Sequence, residues 1–150
     1  MREIKFRGKR ISDNTWIYGK NLTQHNFSNE IIISGFDVEK EVFSKSKIIP
    51  ETLGQYAGLE DKDGTPIYEG DIVESVSWTE FFISGCEKES EPLKRIMTVV
   101  FHEGAFCLYE DLKDPVIPSN YWDIRTGSNF SISGDLKVIG NIFDNPELLK

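Results

Sequence analysis

The densest run of groups able to do chemistry is GLEDKDGTPIYEGDIV, residues 58–73, with five carboxylates, three glycines and a proline. Carboxylates at this density can chelate a hard cation or serve as general acid and base. A helix–loop–helix calcium loop needs acids at its positions 1, 3 and 5, glycine at 6 and a bidentate glutamate at 12. Setting Gly64 at the sixth position puts Asp61 and Asp63 at the third and fifth. It also puts Leu59 first and Gly70 twelfth, so both end ligands are missing. Turn chemistry accounts for the same residues: Asp61 opens a type I turn and Gly64 takes the left-handed position of a short hairpin. Asp61, Asp63, Glu69 and Asp71 gathered on a magnesium ion, or doing acid–base work, is the lesser alternative.

Other catalytic patterns are incomplete. Ser44 and Lys47 form Ser-x-x-Lys, and Ser12-Asp13-Asn14 matches a second motif of penicillin-recognising enzymes. Their order is reversed and Lys-Thr-Gly is absent. His102 and Glu103 are adjacent, and neighbours on a strand point to opposite faces, so direct pairing is not expected. His25 sits in a polar loop. Cys86 and Cys107 lack the spacing of a metal site or a disulfide framework and read as thiols of a reducing cytoplasm. No phosphate-binding glycine loop and no nucleophile elbow occurs. The residues thus point to no catalytic group, no metal and no cofactor.

The elements that would position these residues are mostly strands. The chain has 150 residues, enough for one domain with its own core, and 12% aromatics, which suits β-structure. Residues 2–20 alternate: Ile4 and Phe6 face one way, Lys5, Arg7 and Lys9 the other. Ser12-Asp13-Asn14 is turn chemistry, and Trp16 and Tyr18 are expected to continue the apolar face on the returning strand. The basic face is an anion site or, more simply, a solvated outer face. Strands are predicted in NEIIISGF and EVFSKSKIIP, in ETLGQYAGL after Pro50, and in GDIVESVSW. KRIMTVVFH and AFCLYED form a hairpin turned by Glu103-Gly104, and DLKVIGNIF is the last strand. Pro66 confines the strand before Tyr68 to an edge or bulge. A helical turn is expected around Tyr121-Trp122. A short terminal helix is expected from Asn145 as cap with Pro146 at its first position. The acidic stretch 86–94 is the expected mobile insertion. The expected architecture is mainly β with a minor α part. It is a mixed curled sheet or pseudo-barrel built from hairpins, in a single domain over 1–150.

Charge narrows the partners. The net charge is −8, so a nucleic-acid footprint over the whole surface is disfavoured. Residues 1–20 carry six Lys/Arg against two acids, and residues 21–150 carry eleven against twenty-three. A basic leading segment on an acidic body can dock on a neighbouring copy or on its own body. No apolar run reaches the length of a membrane helix, and no apolar stretch follows the basic start as in a secretion signal.

Three segments together carry a resemblance: MREIKFRGKRISDNTWIYG at the start, IIPETLGQYAGLEDKDGTPIYEGDIV in the middle and VIGNIFDNPELL at the end. In this order they closely resemble the YopX family of phage and prophage proteins. The resemblance implies a phage-encoded, mostly β, barrel-like protein that can self-associate, and it transfers no catalytic residue. Its signature positions include Gln55, Tyr56, Gly58, Leu59, Asp61, Gly64, Ile67, Tyr68, Glu69, Gly70 and Asp71. Gly58, Asp61, Asp63, Gly64, Gly70 and Asp71 read as turn and framework residues, and Ile67 and Ile72 as core. Gln55, Tyr56, Tyr68 and Glu69 are the candidate contact surface. The reading is a cytoplasmic, non-enzymatic accessory protein that binds protein, a second copy included. The alternatives are an acidic mimic of DNA that occupies a host factor and, below it, a small metal-dependent hydrolase at Asp61–Asp71.

Overall fold

The structure, a computed structural model, describes residues 3–25, 30–37, 42–78, 92–109, 122–124 and 136–149. Cys86, the acidic residues 87–91 and Tyr121 lie outside them. The described residues are mainly β and form antiparallel sheets that close into no barrel. Contacts divide the chain into two compact units: residues 1–59 with 66–70, and residues 60–65 with 71–150. No described helix is long and apolar enough to cross a membrane.

The first unit contains two sheets. One has the order β2-β1-β6-β7, from β1 (Phe6–Lys9), β2 (Trp16–Gly19), β6 (Gly54–Glu60, its last residue in the other unit) and β7 (Pro66–Tyr68). The other has the order β3-β4-β5, from β3 (Asn21–Gln24), β4 (Ile31–Asp37) and β5 (Val42–Ile48). Ile17, Ile33 and Ile48 form the buried core cluster, with Phe6, Ile31 and Leu53 packed on it. β-Branched residues fit such half-buried pleated surfaces. Pro50–Thr52 make a 3-10 turn before β6. Pro66 opens β7 at the sheet edge, where a missing N–H breaks no ladder.

One expectation fails here. Lys9 pairs with Trp16 and Arg7 with Tyr18, so Trp16 and Tyr18 share the cationic face, not the face of Ile4 and Phe6. Asn14 is left-handed, with φ 59°, and it fixes a turn that pairs odd with even positions. Because side chains alternate with period two, a register one residue away would have put them on the other face.

The second unit holds the sheet β11-β10-β9-β8-β12, made of β8 (Asp71–Trp78), β9 (Pro92–His102), β10 (Ala105–Tyr109), β11 (Trp122–Asp123) and β12 (Leu136–Asn141). Ile72, Val73, Met97, Thr98 and Val99 are all nearly fully buried. Burial of successive residues means both faces of the sheet centre are covered, which is why β9 lacks clean alternation. Where a helical turn was expected, Trp122 pairs with Leu108 as a strand. Register pairing in the sheet overrides the local signal. The terminal Pro146–Leu149 segment is a 3-10 turn. Asn145 turns its side chain back, and its Oδ1 accepts from Asn141 N–H at 3.4 Å.

Candidate functional site

The cationic face of the β1–β2 hairpin gathers the side chains best suited to recognition. Register places Arg7 and Lys9 with Trp16 and Tyr18, and β6 adds Tyr56, whose N–H donates to Lys5 C=O at 2.9 Å and brings Lys5 alongside. The result is a row of cations interleaved with rings. Lys9 Nζ lies 5.6 Å from the centre of Trp16. The Arg7 guanidinium lies 4.7 Å from Trp16 and 5.1 Å from Tyr68. Tyr68 packs against Tyr56 at 5.5 Å and Tyr18 at 5.6 Å. Lys5 Nζ lies 5.3 Å from Tyr56. Ring faces carry the negative end of the aromatic quadrupole, so each cation sits against favourable charge.

Backbone geometry admits this row. Gly54 sits opposite Arg7, and a Cβ there would lie 2.6 Å from Glu69 O. Its absence lets Glu69 C=O approach, and that carbonyl accepts from Arg7 Nη2 at 3.1 Å. Glu69 N–H in turn donates to Gln55 C=O at 2.9 Å. Gln55 and Glu69 therefore build the site through their main chains. Tyr56 and Tyr68 are buried, whereas Tyr18 is 52% exposed and is the ring the row offers to solvent. Arg7 and Lys9 are also buried, so the β1 cations are not a solvated outer face. Sequence alternation located Lys5, Arg7 and Lys9. It missed their ring partners, because only the turn decides which face of β2 they meet.

The carboxylate loop is built differently. Asp61 Oδ1 accepts from Asp63 N–H at 2.9 Å and Thr65 N–H at 2.8 Å. Its Oδ2 accepts from Val138 N–H at 2.9 Å, across from β12. Lys62 N–H donates to Leu136 C=O at 3.0 Å, and Lys137 Nζ lies 3.3 Å from Asp63 Oδ2. Burial alone would raise the Asp61 carboxyl, but the amides of Val138, Thr65 and Asp63 outweigh it and hold it below the usual range. Gly64 is left-handed, with φ 81°, and its N–H donates to Asp61 C=O at 3.0 Å. The aspartate thus latches a loop onto β12. Asp71 is buried at the start of β8, opposite Asn141. Gly58 and Gly70 are both left-handed. No group of three or more metal-ligating side chains occurs among the described residues.

The remaining catalytic patterns are also occupied. Ser44 Oγ donates to Gly35 C=O at 3.3 Å, and Lys47 Nζ lies 2.7 Å from Glu30. His102 Nε2 and Glu103 Oε1 lie 3.9 Å apart, beyond hydrogen-bond distance. Glu103 is left-handed, with φ 46°. It belongs to the turn, so the opposite-faces rule does not govern it.

The described residues thus define a mainly β chain with an aromatic and cationic sheet face and an aspartate-latched loop. The sequence matches the family described as YopX protein over residues 5–150, and the chain belongs to that family. No curated protein is similar enough to count as a relative. The chain is similar to the crystal structure of protein EF1440 from Enterococcus faecalis. Identity is 22%, 98% of each chain is covered, and the TM-score is 0.49.

Proposed function

We propose that this chain is a non-enzymatic accessory protein of phage or prophage origin. It works in the cytoplasm by binding protein. The observation that carries the reading is the row of Lys9, Trp16, Arg7, Tyr68, Tyr56 and Lys5 on one sheet face, with Tyr18 exposed beside it. Trp, Tyr and Arg dominate the energetics of protein interfaces, because they bury large area at low entropic cost. Their mutual packing holds the face in place before a partner arrives, which lowers the cost of binding. Residues 1–20 carry net positive charge on an otherwise acidic chain, and Lys5 in the row and Tyr18 beside it reach solvent, so the face suits a partner with an acidic surface, a second copy included.

The test is affinity capture from host extract with the wild type and with Tyr18→Ala, which removes an exposed ring. Retention of an acidic protein by the wild type, its loss from the variant and its release by salt support the reading. An identical set of proteins retained by both, at low and high salt, sinks it.

A further inference from the structure

A sheet protein must manage its strand edges, because an open row of N–H and C=O groups invites another strand. Most edges here are managed. β7 has three residues and begins with Pro66. β12 is capped by the carboxylate loop, through Val138 N–H to Asp61 and Lys62 N–H to Leu136 C=O. β5 is covered at its end, where Ile11 N–H donates to Lys47 C=O and Ile49 N–H to Lys9 C=O. The rest of its edge carries the charge of Lys45. β2 is four residues long and ends at Gly19, where a Cβ would meet Ser34 O at 2.5 Å, so β4 lies against the face of its last residue.

β11 has only two residues, and β3 differs from all of these. Asn21, Leu22, Thr23 and Gln24 are all exposed, and the strand holds no charge, no proline and no glycine. Among the described residues it pairs with β4 alone. The direction of its free groups follows from the ladder. His25 N–H donates to Glu30 C=O at 3.0 Å, and antiparallel pairs alternate between bonded and non-bonded. Thr23 and Asn21 therefore turn towards β4 like His25, and Leu22 and Gln24 turn their N–H and C=O outward.

We infer that β3 is a self-association edge, where a second copy of this chain pairs antiparallel with its own β3. The proposal rests on the reading that the chain binds protein, and it names a surface separate from the Tyr18 face. The outward groups are self-complementary. With Thr23 opposite Thr23 of the copy, Leu22 meets Gln24 and Gln24 meets Leu22, and each pair exchanges both hydrogen bonds. The two-fold axis passes between the threonines, so the contact closes as a dimer and leads to no open filament. Opposed threonines are a favourable cross-strand pair, and no like charges meet within the strand. β5 does not offer this, since Lys45 would approach its own copy. Each copy carries −8 overall, so this dimer tightens as salt screens the repulsion. A contact of the basic face with an acidic surface loosens instead.

So short an edge gives a weak dimer, with a dissociation constant on the order of 0.1–1 mM. Sedimentation equilibrium up to about 1 mM protein reads it. Amide hydrogen exchange locates it. The Leu22 and Gln24 amides gain protection with concentration, whereas the Thr23 amide is protected throughout. Gln24→Pro deletes one outward donor per copy and leaves the β4 ladder intact, so association weakens about tenfold or more. Gln24→Ala keeps the backbone and keeps the dimer. Thr23→Lys, which places like charges face to face, is the second probe should the proline variant fail to fold. Tyr18→Ala leaves this dimer unchanged. A wild type that stays monomeric at the top concentration overturns the inference, and so does a dimer indifferent to both Gln24→Pro and Thr23→Lys. A dimer lost with Tyr18→Ala and released by salt also overturns it, while upholding the proposed function. Failed capture at the Tyr18 face beside an intact β3 dimer has the reverse meaning.

Discussion

Replacing Asp61 with Asn tests the latch most sharply. The side chain keeps its shape and one oxygen for the Asp63 and Thr65 amides, but presents an NH2 where Oδ2 accepts from Val138 at 2.9 Å. Flipping the amide moves the conflict to Asp63 and Thr65. One charge-assisted bond is lost either way, and at least one N–H faces a donor at a residue that is 7% exposed. A hydrogen bond to a charged group contributes about 1.5–3 kcal/mol, so Asp61→Asn should cost about 2 kcal/mol. For a chain of this length that lowers Tm by about 4–8 °C. The dependence on pH has a definite sign. Burial pushes the Asp61 carboxyl up, yet the three amides hold it below its ordinary value. A depressed folded-state pKa gives stability that is complete above the unfolded value and lost as pH falls through the folded one. The gap between wild type and variant should therefore be full at pH 7 and narrow below about pH 4. Thermal and urea unfolding of both proteins, followed by circular dichroism at several pH values, measures it. A gap under about 0.5 kcal/mol at pH 7, or one that acid leaves unchanged, would refute the latch.

Thr98 is fully buried in β9 and its Oγ1 has no hydrogen-bond partner among the described residues. Thr98→Val should therefore stabilise by about 0.5–1 kcal/mol, where a satisfied threonine would lose that much; urea unfolding decides. Arg7→Lys keeps the charge but loses the flat group between Trp16 and Tyr68, and should cost about 1–2 kcal/mol. If the Lys variant melts with the wild type, charge alone holds the row. Gly19→Ala drives a methyl against Ser34 O at 2.5 Å, backbone that cannot rotate away. A loss of about 2–3 kcal/mol in chemical denaturation is expected.

Much of the strand pattern was legible in the sequence. The β9–β10 hairpin and the bend at Gly64 are local matters: a β-branched run, a Glu-Gly turn and an Asp-x-x-Gly sequence each encode their own geometry. What stayed hidden depends on distant partners. Trp16 and Tyr18 fell on the unexpected face because register is set by the turn at 11–15, one residue of which reverses every side chain. β3 gave no signal, since Asn-Leu-Thr-Gln has neither alternation nor β-branched richness and becomes a strand only beside β4. Nor can a linear reading find the Arg7 site, which needs Gly54 to lie across the sheet and the Glu69 carbonyl to fill the space.

The route of the chain between residues 54 and 71 has an evolutionary consequence. Residues up to 59 belong to one unit, 60–65 to the other, 66–70 to the first again, and 71 onward to the second. Neither unit is a contiguous cassette. A recombination breakpoint within this stretch would strip the first of β7 or the second of its Asp61 brace. Shuffling of modules therefore cannot hand either unit alone to a new gene, and the long central motif must be exchanged whole.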